Sequence, residues 1–193
     1  EDIKEKVKKI VLKSQKHIQK SKKKYIEAEK ILYDIIEFDQ KKMTNNFSSI
    51  KLSTINQTYG NRIDPKYYCN KLDNFFNDLS KKGSLIKIKD AILKPVINGV
   101  SPKYDDKGKI VLINSEHLGK YGLNFGGTDR VLQSFYDQNL KSKISFEDVL
   151  VYATGAYFGR TNIFLEKVKA MAGLDVLIIK FNKDLCDPYY ASL

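Results

Sequence analysis

Across residues 1–43 apolar and small residues recur at alternating intervals of four and three. Val7, Val11, Ser14, Ile18, Ser21, Tyr25, Ala28, Leu32 and Ile35 keep that spacing without a break, and no glycine or proline interrupts it. A period of 3.5 residues holds one seam of a helix against a partner helix. The spacing therefore predicts a heptad spacer helix over 1–43, roughly 60 Å long at 1.5 Å per residue. One line of the seam (Val7, Ser14, Ser21, Ala28, Ile35) is mostly small and permits close approach; the other (Val11, Ile18, Tyr25, Leu32) is bulkier. The plainer alternative is an amphipathic helix lying on its own domain, but a rod of that length would overhang the rest of the chain.

The pattern then changes. Thr44-Asn45-Asn46-Phe47-Ser48-Ser49 is polar and reads as the start of a linker over 44–61, in which Ile50–Asn61 alternates weakly, as a short edge strand would. Pro65 is placed to open a second helix with Tyr68, Leu72, Phe75 and Leu79 on one face, closed at Lys82-Gly83. From Ser84 onward β-branched residues and glycine rise. Short apolar runs at Leu85–Ile88, Ile110–Ile113, Val149–Ala153, Asn162–Leu165 and Val176–Phe181 predict strands of a mixed sheet. The turn-forming stretch Asn98–Lys109 and the four glycines of 119–127 predict irregular loops. The expected fold is α+β: a long N-terminal coiled-coil helix, then a globular mixed-sheet domain over 62–193. Asp187-Pro188 is an N-cap followed by a proline suited to a first helical turn, yet the chain stops at Leu193. A piece of a longer polypeptide, ending before a second helix, is the expectation.

Composition narrows the class. With 193 residues, 42% hydrophobic and 30% charged, the chain sits with globular domains and not with disordered ones. Its longest apolar runs fall far short of the roughly 20 residues of a membrane span, and the charged Glu1-Asp2-Ile3-Lys4 start is not a secretory signal. Cys69 and Cys186 form no C-x-x-C pattern, so a reduced, cytoplasmic setting and two buried small hydrophobes are expected. Net charge is +11, and 31 of 34 basic residues are lysine. Such a balance attracts nucleic acid, an acidic membrane or an acidic protein; a lysine-rich proteome is the bland alternative. Residues 1–43 carry +5 and the remainder +6, so no basic tail accounts for the total.

Catalytic patterns are sparse. His17 and His117 are the only histidines, and a metal site needs about three or four converging ligands. Glu116-His117 follows a predicted strand and leaves a hydrolase as a distant alternative to ordinary loop polarity. Gly155–Arg160 resembles a phosphate loop only superficially, because no helix follows whose N-terminus could face a phosphate. No catalytic residue, metal ligand or cofactor is assigned. Among Arg62, Arg130 and Arg160, the last adjoins the Gly155/Gly159 turn, where its guanidinium could grip a base or phosphate bidentately, or form a structural salt bridge.

Four stretches carry a family likeness. The run from Ile144-Ser145-Phe146-Glu147-Asp148 through Thr154-Gly155-Ala156-Tyr157-Phe158-Gly159-Arg160 to Thr161-Asn162-Ile163 closely resembles a segment of specificity subunits of type I restriction-modification systems. So does Arg62-Ile63-Asp64-Pro65-Lys66-Tyr67-Tyr68, with the helix after it and Leu85–Asp90. Ile97-Asn98-Gly99-Val100-Ser101-Pro102 is similar to that family's glycine-proline loop, and Lys20-Ser21 with Tyr25–Glu29 to its spacer helix. The resemblance covers nearly the whole chain and implies a non-catalytic reader of double-stranded DNA. In that family one recognition domain reads half of a bipartite site. Antiparallel helices fix the distance between half-sites and dock the adenine methyltransferase subunit, which binds S-adenosylmethionine, while an endonuclease subunit associates. A full member carries two recognition domains and two spacer helices; this chain matches the central helix and the second domain, so an exposed seam predicts a homodimer in isolation.

Expected DNA contacts are Asn98, Ser101, Lys103, Tyr104, Asn114, Ser115, His117, Arg130, Tyr157 and Arg160, all in predicted loops or at strand ends, where function concentrates on a rigid scaffold. Besides the distant hydrolase, two alternatives remain at this level. The domain could belong to a single-chain restriction enzyme–methyltransferase, or the chain could be a coiled-coil protein–protein interaction module.

Overall fold

The heptad segment forms one helix, α1 (Ile3–Ile36). The computed structural model describes residues 2–37, 51–56 and 70–193. Asp2 starts α1, its carboxylate accepting from the Lys4 N–H at 3.3 Å, the usual device for an orphan donor in the first turn. The helix ends at Glu37, whose φ of 49° leaves the helical region; the expected continuation to residue 43 lies outside the described residues, as do 44–50. Where an edge strand was expected in 50–61, Leu52–Asn56 is instead a helical turn, α2. Leu52 and Ile55 stand three apart, a spacing that suits one face of a turn better than one face of a strand. Helix α3 (Asn70–Lys82) follows and closes as expected, the Gly83 N–H bonding the Leu79 carbonyl at 3.2 Å. Phe75 and Leu79 share its half-buried face, while Pro65 and Tyr68 lie outside the described residues.

Contacts gather residues 27–86 into one unit and residues 1–26 with 87–193 into another. Within the first, Lys82 pairs with Glu37 at 2.7 Å. The segment 70–86, expected in the recognition domain, thus belongs with the C-terminal part of α1. The expected boundaries at 43/44 and 61/62 fall outside the described residues.

The second unit is the mixed-sheet body. In chain order it contains α4 (Ile88–Ala91), β1 (Ile97–Asn98), β2 (Ile110–Ile113), β3 (Leu118–Gly119), β4 (Gly122–Leu123), β5 (Arg130–Val131), α5 (Gln133–Gln138), β6 (Lys143–Ile144), β7 (Val149–Tyr152), β8 (Thr161–Ile163), β9 (Ala170–Ala172), β10 (Val176–Ile179) and α6 (Pro188–Ala191). One sheet has the order β1-β10-β7-β8 and is antiparallel throughout. The other runs β5-β2-β9-β6, with β2 and β9 parallel, Val111 beside Ala170 and Ile113 beside Ala172. Strands β3 and β4 form a separate hairpin inside the glycine-rich 119–127 stretch expected to be irregular.

Every residue of β2 is buried, which explains its unbroken apolar run: both faces of its sheet are covered. Val111 and Ile113 turn toward Leu150, Phe164 and Ile178 between the sheets. Ile110 and Leu112 pack with Val131 and Met171, against Phe135 and Tyr136 around α5. The first sheet does the same, with Val149 and Ile179 meeting Ala91, Phe181 and Cys186 on its far side. Cys186 is therefore half-buried packing, and burial pushes its thiol pKa up.

Leu85–Ile88 is not a strand. Residues 84–87 are irregular and the chain then winds into α4, the Asp90 N–H bonding the Lys87 carbonyl at 2.9 Å. Alternation makes a strand only where a neighbour takes up its backbone groups, and Ile86 and Ile88 remain exposed. At the end of the chain α6 begins as expected, with the Asp187 carboxylate capping the Tyr189 N–H at 2.8 Å.

Candidate nucleic-acid interface

Parallel pairing sends β2 and β9 to the same edge of their sheet, so the connections that follow them emerge side by side. Asn114, Ser115 and Glu116 follow β2, and Leu174 and Asp175 follow β9. Ser101, Pro102 and Tyr104 arrive from the loop after β1 and Thr154 from the end of β7. Together they line an open cleft of about 530 Å³. The loop after β1 is pinned to the sheets: the Gly99 N–H bonds the Val176 carbonyl at 3.0 Å and the Val100 N–H bonds Ala172 at 3.1 Å. Gly99 lies so close to β9's exit that a Cβ there would stand 2.0 Å from the Gly173 carbonyl oxygen, so the loop can enter the cleft only through a residue with no side chain.

Four of the expected contacts meet at this cleft: Ser101, Tyr104, Asn114 and Ser115. Lys103 is exposed between two of its lining residues. His117 does not reach it. That ring is only 3% exposed, and its Nδ1 accepts the Asn114 N–H at 2.9 Å, which makes it the post of the Asn114–His117 turn and not a surface contact. Ser115 is buried as well, its hydroxyl donating to the Asp175 carboxylate. His117 Nε2 lies 4.0 Å from Glu116 Oε1, on the side of the ring away from the Nδ1 that takes the backbone N–H. Glu116, Thr154, Leu174 and Asp175 complete the cleft without having been expected as contacts. Asp175 follows a strand rich in alanine, which propensity hides. The two carboxylates suit N–H donors, such as the exocyclic amines of cytosine or adenine, better than phosphate.

A second feature is the connection from β7 to β8. The Gly159 N–H bonds the Tyr152 carbonyl at 3.0 Å, and the Tyr152 N–H bonds Arg160 at 2.9 Å. Gly155 and Gly159 take φ of 118° and 85°, which side chains disfavour. The turn lifts Tyr157 (57% exposed) and Phe158 (75%) into solvent. Tyr157 is braced from both sides: Tyr152 meets it edge-on at 6.3 Å between centroids, and the Arg160 guanidinium sits 4.0 Å from its ring. Arg160 Nη1 also donates to the Leu118 carbonyl at 3.1 Å. Arg160 thus holds a ring and a carbonyl, where a salt bridge was the structural alternative. Phe158, at the tip, has the chemistry of a wedge or stacking residue.

The remaining expected contacts lie apart from the cleft lining. Asn98 is an exposed residue of β1 opposite Leu177. Arg130 sits on β5 at a sheet edge, its Nη1 3.4 Å from the Lys109 carbonyl. Arg62 is outside the described residues. On α1, seam residues Val7, Val11, Ser14, Ile18, Ser21 and Ile35 are exposed, whereas Tyr25, Ala28 and Leu32 are half-buried. Tyr25 packs on Tyr121 of the β3–β4 hairpin at 6.1 Å, with Lys22 and Lys120 over the Tyr121 ring at 5.9 and 5.2 Å. Desolvation there raises the Tyr25 phenol pKa. Part of the seam is therefore covered within the chain, with Tyr25 packed on the β3–β4 hairpin.

Among the described residues no group of three or more His, Cys, Asp or Glu could hold a metal ion, and no helix is long and apolar enough to cross a membrane. The chain matches no protein-family model, and it has no significant match among curated proteins.

Proposed function

We propose that this chain is a non-catalytic, cytoplasmic reader of double-stranded DNA, recognising one half of a bipartite site for a type I restriction-modification complex. The observation that carries the reading is the cleft. Connections from two packed sheets converge there and present hydroxyl, amide and carboxylate groups on short, pinned loops. Groups of that kind pair with base edges, while phosphate contacts come from surrounding lysines. Asn114, Tyr104, Ser101, Thr154, Glu116 and Asp175 form the base-reading set, with Lys103 at its margin. Tyr157 and Phe158 supply stacking surface beside it. His117, Ser115 and Arg160 hold these groups in position.

In this reading α1 is the spacer, and its exposed seam is the docking line for a second helix. The occupant is a copy of the same chain when it is isolated, or the complementary helix of a full specificity subunit. The adenine methyltransferase subunit, carrying S-adenosylmethionine, and the endonuclease subunit associate around that core; this chain needs no cofactor of its own. The exposed seam equally suits a plain protein–protein interaction module, and the two readings separate on DNA. Incubation with a randomised duplex library, followed by sequencing of what is retained, is expected to enrich one short motif. Retention without enrichment, or none, would set the base-reading role aside and favour the interaction module.

A further inference from the structure

The charge of α1 is not spread evenly along it. Residues 2–26 contain ten lysines and only two acidic residues, Asp2 and Glu5, whereas 27–37 contain Glu27, Glu29, Asp34 and Glu37 against Lys30 alone. Most of the chain's net +11 therefore resides in the first two thirds of one helix. The lysines are also in register. Lys6, Lys9, Lys13, Lys16, Lys20 and Lys23 follow one another at intervals of three and four, and all are exposed. At about 100° per residue that spacing places them on a single face, roughly opposite the seam of Val7, Val11, Ile18 and Tyr25. From Lys6 to Lys23 the stripe spans roughly 25 Å.

We infer that this stripe is a second polyanion-binding surface, and that its ligand is a phosphodiester backbone. The inference rests on the DNA-reading proposal for its choice of ligand, but it uses none of the cleft residues. A linear array of ammonium groups one helical turn apart matches a linear array of phosphates, which in duplex DNA carries about one charge per 1.7 Å of axis. An acidic membrane fits less well. An interfacial helix buries its apolar face with lysines flanking it at headgroup level. Here the stripe lies opposite the apolar face, and the apolar line is broken by Ser14 and Ser21 with no aromatic residue before Tyr25. Burying that face would aim the six-lysine stripe away from the headgroups, with Lys4, Lys8 and Lys22 beside the seam as its flanking charges. The Tyr25–Tyr121 packing is on the seam side, so the stripe does not compete with it.

The test changes Lys9, Lys13, Lys16 and Lys20 to Gln in the full chain. Lysine and glutamine have similar helix propensity, and circular dichroism checks that helicity is kept. Binding to a random-sequence duplex is then measured across a salt series. With about 0.9 log units of salt slope per phosphate contact, the variant is expected to lose roughly 3–4 units of slope, and Lys→Arg at the same four positions to retain them. A control variant replaces exposed lysines of the body, Lys89, Lys94, Lys141 and Lys167, with Gln, altering net charge equally. An equal loss of slope in the control, or no loss in the stripe variant, overturns the inference. So does binding to phosphatidylserine vesicles without binding to duplex. If motif enrichment fails while the stripe variant still loses slope, the base-reading proposal falls and the stripe stands.

Discussion

Gly99 shows how single residues set the cleft. A Cβ on it would stand 2.0 Å from the Gly173 carbonyl oxygen, so the loop after β1 passes there only because the side chain is missing. Gly99→Ala forces a backbone shift in a packed interior, for which about 1–3 kcal/mol is the usual cost. At roughly 2–4 °C of Tm per kcal/mol for a chain of this size, thermal denaturation reads the change directly; an unaltered Tm would mean the loop is not held as described. Arg160 makes a different point. With its guanidinium stacked on Tyr157 and bonded to Leu118, it supports the β7–β8 connection. Arg160→Ala is expected to weaken binding to every duplex alike, and Arg160→Lys to fail as a rescue because an ammonium cannot stack as a plane. Relaxed preference at a single base position would instead make Arg160 a base reader.

Among the elements, the turn between β6 and β7 is tied by charge to Lys180, the residue after β10. Asp148, 5% exposed, accepts the Ser145 N–H at 2.7 Å and the Lys180 ammonium. Removing one partner of a buried pair strands the other. Asp148→Ala is therefore expected to cost about 3 kcal/mol in chemical denaturation, with Lys180 half-covered and partly relieved by water. Elements with strong periodicity, a continuous apolar run or clear capping chemistry were legible in the sequence: α1, α3, β2, β7, β8, β10 and the Asp187–Pro188 cap. Those that depend on neighbours were not. β9 is Ala-Met-Ala, a poor strand by propensity, yet it sits between β2 and β6 because its small side chains fit a space sealed from water. Leu85–Ile88 fails in the opposite sense, alternating without a partner. The site divides the same way. Ser101, Tyr104 and Asn114 follow from lying in loops, while Asp175 required the unseen β9, and His117 reads as exposed until its ring is found inside the turn.

Over residues 6–25 helix α1 is two-faced, with the seam of Val7, Val11, Ile18 and Tyr25 on one side and the stripe from Lys6 to Lys23 on the other. Dividing the chain at residue 43 conceals this, because the acidic stretch after Glu27 offsets the basic one before it. The exposed seam predicts concentration-dependent dimerisation in sedimentation equilibrium. Val11→Asp with Ile18→Asp should yield a monomer with an intact sheet domain; a wild-type monomer at all concentrations would remove the docking role. Whether bases are read is decided by the affinities for two duplexes, the motif enriched from a random library and a shuffled duplex of the same composition, at low and moderate salt. Base reading predicts a preference of about 10³ or more that persists as salt weakens both. Equal affinities at both salts would contradict it, leaving lysine electrostatics as the sole basis of binding.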